Sequence, residues 1–254
     1  MSITTAMILV LPLVFVPGLA LGSFLGVVAA RVPLRRSIVR PGSACMSCET
    51  PISWYDNIPV LSYALLRGRC RRCGVRIPPR DLAIELTTAL LLVGCVLEFG
   101  VSLRTVAAAI GCGALVVVTA TDIERRIVPN RVVLPAAAAV LAVDTLWHPS
   151  PTWAIGALGM AGFLFLAALA YPGGMGMGDV KLALLIGALL GRTTPVAFIL
   201  TLLLALVPTV FLIARHGRGA RRLAIPFAPF MAAGAVITLF AGETILHAYL
   251  HHLT

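Results

Sequence analysis

The chain has 254 residues, of which 59% are hydrophobic and 12% charged, with a formal net charge of +10 and a mean hydropathy of +1.00. Soluble globular domains carry about twice that share of charge, so the composition excludes an ordinary soluble protein and describes one solvated by lipid. The positive charge is not read as a nucleic-acid footprint, because the basic residues hug the ends of apolar runs.

Eight apolar runs of near-spanning length are predicted as helices, roughly 5–29, 82–99, 104–121, 131–147, 152–171, 179–191, 194–214 and 225–247. The fold expected is an all-α polytopic membrane protein with a small insert between the first and second spans. Its divisions are a first span (1–30), an insert (31–80) and a membrane domain (81–254). The first run lacks a basic start and carries its basic flank afterwards, so it reads as a span and not a cleaved signal. With the N-terminus outside, every basic residue except Arg104 and Arg192 falls on the cytosolic side. That bias predicts both termini outside, with contact to anionic membrane lipid.

The insert is too small for a self-sufficient core. Its staple is Cys45-Met46-Ser47-Cys48 and Cys70-Arg71-Arg72-Cys73, two C-x-x-C pairs separated by 21 residues, the spacing of a four-thiolate zinc ribbon. Disulfides are the alternative, which a reducing cytosol disfavours. Four thiolates leave no open position for water, so the zinc is expected to be structural. Cys95 and Cys112 fall inside spans and read as small apolar residues. Between the pairs, Trp54-Tyr55-Asp56-Asn57-Ile58-Pro59 reads as a turn with two aromatics, serving either as packing or as a ligand contact.

The chain holds only ten acids, and two of them stand out. Asp122 follows the third run and precedes Pro129-Asn130. Asp179 closes Gly173-Gly174-Met175-Gly176-Met177-Gly178-Asp179 and opens a sixth run of only about 20 Å, against a hydrocarbon core of about 30 Å. Both aspartates are predicted at cytosolic span ends. An ionisable group near hydrocarbon is a functional candidate by default, and two carboxylates suggest an acid/base pair that activates water. An ordinary helix cap is the plainer reading of either alone. Gly176 and Gly178 would let a substrate backbone or a neighbouring helix approach closely. Lys181 is expected to bind headgroups, and Asp144, Glu98 and Glu243 to be solvated at outer span ends.

These pieces together resemble the bacterial prepilin peptidases, bifunctional leader peptidase/N-methyltransferases of type IV pilus and type II secretion systems. The resemblance is carried by Gly22-Ser23-Phe24-Leu25, Arg31-Val32-Pro33, both cysteine pairs, Trp54 to Ser62, Arg67-Gly68-Arg69-Cys70, Arg80, Glu85, Asp122, Pro129-Asn130 and Pro226-Phe227-Ala228-Pro229. Gly176-Met177-Gly178-Asp179-Val180-Lys181 fits the G-x-G-D pattern of intramembrane aspartyl proteases. The chain departs from that family's usual Asn at Gly26, Pro at Met46, Gly at Ala228 and Tyr-Pro at Asp81-Leu82. The resemblance implies a catalytic dyad of Asp122 and Asp179, prepilin or pseudopilin substrates, and methylation of the new N-terminus from S-adenosylmethionine. Glu49, Trp54, Asp56, Asn57 and Glu85 are the candidate cofactor-site residues. A peptidase without methyl transfer and a proton- or ion-coupled transporter are the competing functions.

Overall fold

A computed structural model describes residues 3–171, 175–216 and 226–251. The elements are α1 (Ile3–Arg31), a 3-10 turn (Trp54–Asn57), α2 (Leu61–Leu65), α3 (Pro79–Phe99), α4 (Leu103–Arg125), α5 (Asn130–Trp147), α6 (Thr152–Ala170), α7 (Met177–Leu190), a 3-10 turn (Gly191–Thr193), α8 (Thr194–His216) and α9 (Ala228–His251). They form two compact units, Met1–Gly100 and Val101–Thr254. Among the described residues, strand pairing is limited to two isolated antiparallel bridges in the insert.

Seven stretches are long and apolar enough to cross a membrane, and one of them, Met177–Arg215, runs to 39 residues. That stretch is two helices. Gly191, with φ +55, breaks it, and a Cβ there would meet the Trp153 ring. Their partners show that the direction reverses at the break. Gly187 of α7 lies against Gly156 of α6, and Gly234 and Gly242 of α9 lie against Thr201 and Thr193. So α9 runs antiparallel to α8. It is antiparallel to α4 as well, because its first residue meets Asp122 near the end of α4. Arg104 at the start of α4 meets Leu189 at the end of α7, so α4 and α7 are antiparallel too. Helices α7 and α8 therefore run in opposite directions, and all eight expected helices are present.

In the first unit α1 packs on α3. Gly18 and Gly22, one turn apart, make this possible, since a Cβ on either would fall within 2.7 Å of the Cα of Ala89 or Glu85. Small residues at this spacing let helix backbones approach where lipid offers no hydrophobic drive. In the second unit α4 and α7 are the most enclosed helices. Leu115, Val117, Val118 and Thr121 of α4 and Leu182, Leu185, Ile186 and Leu189 of α7 are sealed from solvent and lipid.

Candidate active site

Asp122 lies one turn before the end of α4. Arg126 closes that helix in the left-handed conformation (φ 54) and returns its amide to the Asp122 carbonyl at 2.9 Å. The side chain is buried, and its Oδ2 accepts a hydrogen bond from the Ala228 amide at 3.2 Å. Ala228 begins α9, where amides have no intrahelical partner and favour an anion.

Asp179 is the third residue of α7, and its amide donates to the Gly176 carbonyl at 3.0 Å. Both aspartates line one cavity of about 810 Å³, with Arg126, Val128, Asn130, Gly176, Gly178, Lys181, Pro226 and Phe227. They are close enough for their charges to interact. The two glycines differ. A Cβ on Gly178 would lie 2.9 Å from the Val128 side chain, whereas one on Gly176 would find nothing nearer than 3.6 Å. Gly178 is thus what lets the segment after Asp122 press against the start of α7. Gly173 and Gly174 lie outside the described residues.

Two partners at this cavity and one pair remote from it were not foreseen. Lys181 donates to Asn130 Oδ1 at 3.0 Å, where a headgroup contact was expected. Ala228 contributes its amide, which a side-chain pattern does not display, although the prolines at 226 and 229 signal that a helix begins there. Asp144 was expected to be solvated and is fully buried, paired with Arg104. Glu243 is exposed as expected, and it pairs with Arg192.

In the insert, the sulfurs of Cys45, Cys48, Cys70 and Cys73 all lie within 4.8 Å of one another, with Cys45 and Cys73 3.7 Å apart and no disulfide formed. Zn–S bonds of about 2.3 Å in a tetrahedron put sulfurs about 3.8 Å apart, so the residues fit zinc. The two halves repeat one design. Cys45 donates its amide to Thr50, and Cys70 donates to Val75. The bridges Ala44–Pro51 and Arg69–Arg76 fall at equivalent places. The fourth residue after each leading cysteine, Glu49 (φ 54) or Gly74 (φ 69), is left-handed. Hydrogen bonds from the Thr50 hydroxyl and amide bring the Cys48 thiol down to about 6. The amides of Cys73 and Arg72 lower Cys70. At Cys73 the Val75 amide is outweighed by burial and the neighbouring thiols, which push it to about 11. Four such sulfurs ionise together only around a cation.

The five candidate cofactor residues are not gathered at one place. Asp56 alone lines a cavity of about 350 Å³ beside the cysteines, with Tyr55, Arg71 and Ile77. Its carboxylate accepts hydrogen bonds from Nε and Nη2 of Arg71, at 2.6 to 3.0 Å. That guanidinium holds the acid below the usual carboxylate range. Trp54 is 80% exposed and meets Tyr55 edge to face. Asn57 ends the exposed 3-10 turn, and Glu49 turns the first knuckle. Glu85 is buried in α3 and accepts the Val60 amide at 2.8 Å, bracing the Ile58–Val60 corner. Ser62, the last residue of the Trp54 to Ser62 motif, clamps the turn by donating to the Tyr55 carbonyl and accepting from the Ile58 amide.

The fold and cavity thus define a class: a multi-pass membrane protein in which two helices bring a pair of carboxylates to one polar opening. Comparison with known proteins narrows that class. Residues 109–214 match the type IV leader peptidase family, and residues 16–99 match the bacterial peptidase A24 N-terminal domain. The chain is 37% identical over 247 residues to a prepilin leader peptidase/N-methyltransferase of Bacillus subtilis, covering 94% of this chain and 98% of that one. Proteins of the same description from Burkholderia pseudomallei and Aeromonas hydrophila are 33% and 32% identical, covering 89% and 94% of this chain and 83% and 93% of theirs. No solved structure matches. The chain belongs to the type IV leader peptidase family.

Proposed function

We propose that this protein removes the basic leader of a prepilin or pseudopilin with Asp122 and Asp179, then methylates the exposed N-terminal amine. The observation that carries the reading is the convergence of the two acids, from α4 and α7, on one cavity. Two nearby carboxylates hold one proton between them, because ionising both is costly. The ionised member takes a proton from water as the water oxygen attacks the scissile carbonyl. The protonated member hydrogen-bonds the carbonyl oxygen. When the C–N bond breaks, the nitrogen leaves as an amine, carrying away a proton the dyad relays. The Ala228 amide fixes Asp122 throughout.

The distribution of basic residues supports a cytosolic dyad and both termini outside, because the two exceptions, Arg104 and Arg192, lie at the helix ends away from it. A substrate with a basic leader in the cytosol and an apolar helix in the bilayer would present its junction at that depth.

The four cysteines would hold one structural zinc ion that folds the insert. S-adenosylmethionine supplies an electrophilic methyl group when bound. We place it at the insert cavity, with Tyr55 as an aromatic face and the Asp56–Arg71 pair as its wall. Cleavage must come first, since the amine does not exist before it.

The test is cleavage and product mass with a prepilin substrate in vesicles. Asp122→Asn and Asp179→Asn should each abolish cleavage while the chain still inserts. Normal turnover by either variant would refute the dyad, and a product that never gains a methyl group would leave a peptidase alone.

A further inference from the structure

Arg104 opens α4 and Asp144 sits near the end of α5, both remote from the aspartate cavity. Arg104 Nη1 lies 2.5 Å from Asp144 Oδ2, with the arginine side chain 14% exposed and the aspartate wholly buried. The other arm, Nη2, donates to the Leu189 carbonyl at 2.8 Å. Leu189 is in the last turn of α7, where carbonyls lose their intrahelical partners. The guanidinium also lies 5.0 Å from the centroid of Trp153, in the first turn of α6, whose ring packs against Gly191. One side chain of α4 therefore reaches α5, α6 and the end of α7.

Stability alone does not explain this arrangement, because a buried ion pair is often no better than well-packed apolar residues. Position does. From Leu182 to Leu190 every residue of α7 except Leu184 is buried, and the side chains are apolar throughout. Apolar contacts exchange readily when such a helix slides along its axis, so its register rests on close or directional contacts: Gly187 on Gly156, Gly178 on Val128, Lys181 with Asn130, and Arg104 with the Leu189 carbonyl. A slip of one turn would move Asp179 by about 5.4 Å. The Arg104–Leu189 bond is directional and resists that slip, and Asp144 aims the guanidinium that makes it.

We propose that Arg104 and Asp144 are positioning residues that set the axial register of α7 and, through it, the alignment of Asp179 with Asp122. The catalytic consequence rests on the two-aspartate reading above.

Three variants test it. Arg104→Lys removes the fork and leaves a charge, Asp144→Asn releases the guanidinium, and Arg104→Met with Asp144→Leu replaces the pair by apolar packing. Each is assayed for kcat and KM on a prepilin substrate in vesicles and for thermal melting. The same changes are made in a chain carrying Asp122→Cys and Asp179→Cys, in which a short thiol cross-linker is followed by mass spectrometry of the joined peptides. The expected result is kcat lowered about ten- to a hundredfold with KM unchanged, and slower cross-linking, including in the apolar pair that melts near the parent temperature. Parent kcat and parent cross-linking in the apolar pair would overturn the proposal. So would a loss of kcat that only tracks loss of folded protein while cross-linking is unchanged. Slowed cross-linking in a chain whose parent does not cleave would uphold the register and refute the protease reading.

Discussion

The Ala228 amide donates to Asp122 Oδ2 at 3.2 Å, across 106 positions of sequence. It is a backbone donor, so side-chain substitution tests it only through proline, which lacks the N–H and is tolerated at a helix start. Ala228→Pro should insert and lower cleavage about tenfold or more, as expected when one charge-assisted hydrogen bond is lost. Ala228→Gly, which keeps the amide, should retain most of the activity. Cleavage rates of the two purified variants in the same vesicles decide, and equal rates would mean the bond is idle.

Gly176 and Gly178 look equivalent in sequence and are not equivalent in space. A methyl on Gly178 would press into Val128 at 2.9 Å, whereas one on Gly176 would rest at ordinary contact distance. Gly178→Ala should therefore destabilise the second unit by roughly 1–3 kcal/mol and slow cleavage. Gly176→Ala should leave melting unchanged. Thermal melting and cleavage of both variants check the order, which a reversed pair would contradict.

The insert should lose its structure with its metal. Purified protein is expected to contain about one zinc per chain. Cys45→Ser or Cys70→Ser should lower that content and open residues 40–80 to protease. Strong chelation should do the same reversibly. Metal analysis and limited proteolysis give the answer, and four cysteines paired as disulfides in unoxidised protein would sink the idea.

What could be read from the sequence divides by the range of the interaction. The eight helices, both cysteine pairs and both aspartates were legible because each depends on local composition or spacing. The break after α7 was legible too, since Gly191-Arg192 interrupts a long apolar run. Asp144 misled because its burial depends on Arg104, 40 positions earlier, and a lone acid at a span end reads as solvated. Asn130 was visible as part of a motif, but its bond to Lys181 spans 51 positions and leaves no periodic trace. The methyl-transfer residues were the least legible. Glu85 rests on the family resemblance and the others on their place in the polar insert, and polarity does not distinguish a ligand contact from the hydrogen bonds that hold a turn together.

Asp56 shows how that distinction can be tested. A carboxylate at a methyl-transfer site could serve as base for the new amine, yet at Asp56 Arg71 holds the carboxylate low and occupies both oxygens. A depressed acid contributes stability above its unfolded pKa of about 3.9 and loses that contribution as pH falls through its lower folded value. The Asp56–Arg71 pair is therefore intact throughout the neutral range. An acid limb of methyl transfer between about pH 5 and 8 would belong to another group, such as the amine itself. Asp56→Ala and Arg71→Ala should both leave cleavage intact and yield product lacking the methyl group, because each removes the same wall of the cavity. If Asp56 were the base, Arg71→Ala would free it and preserve methylation. Product mass and the pH profile of methyl incorporation separate the two. Loss of methylation in Asp56→Ala alone, with a shifted acid limb in Arg71→Ala, would restore Asp56 as the base.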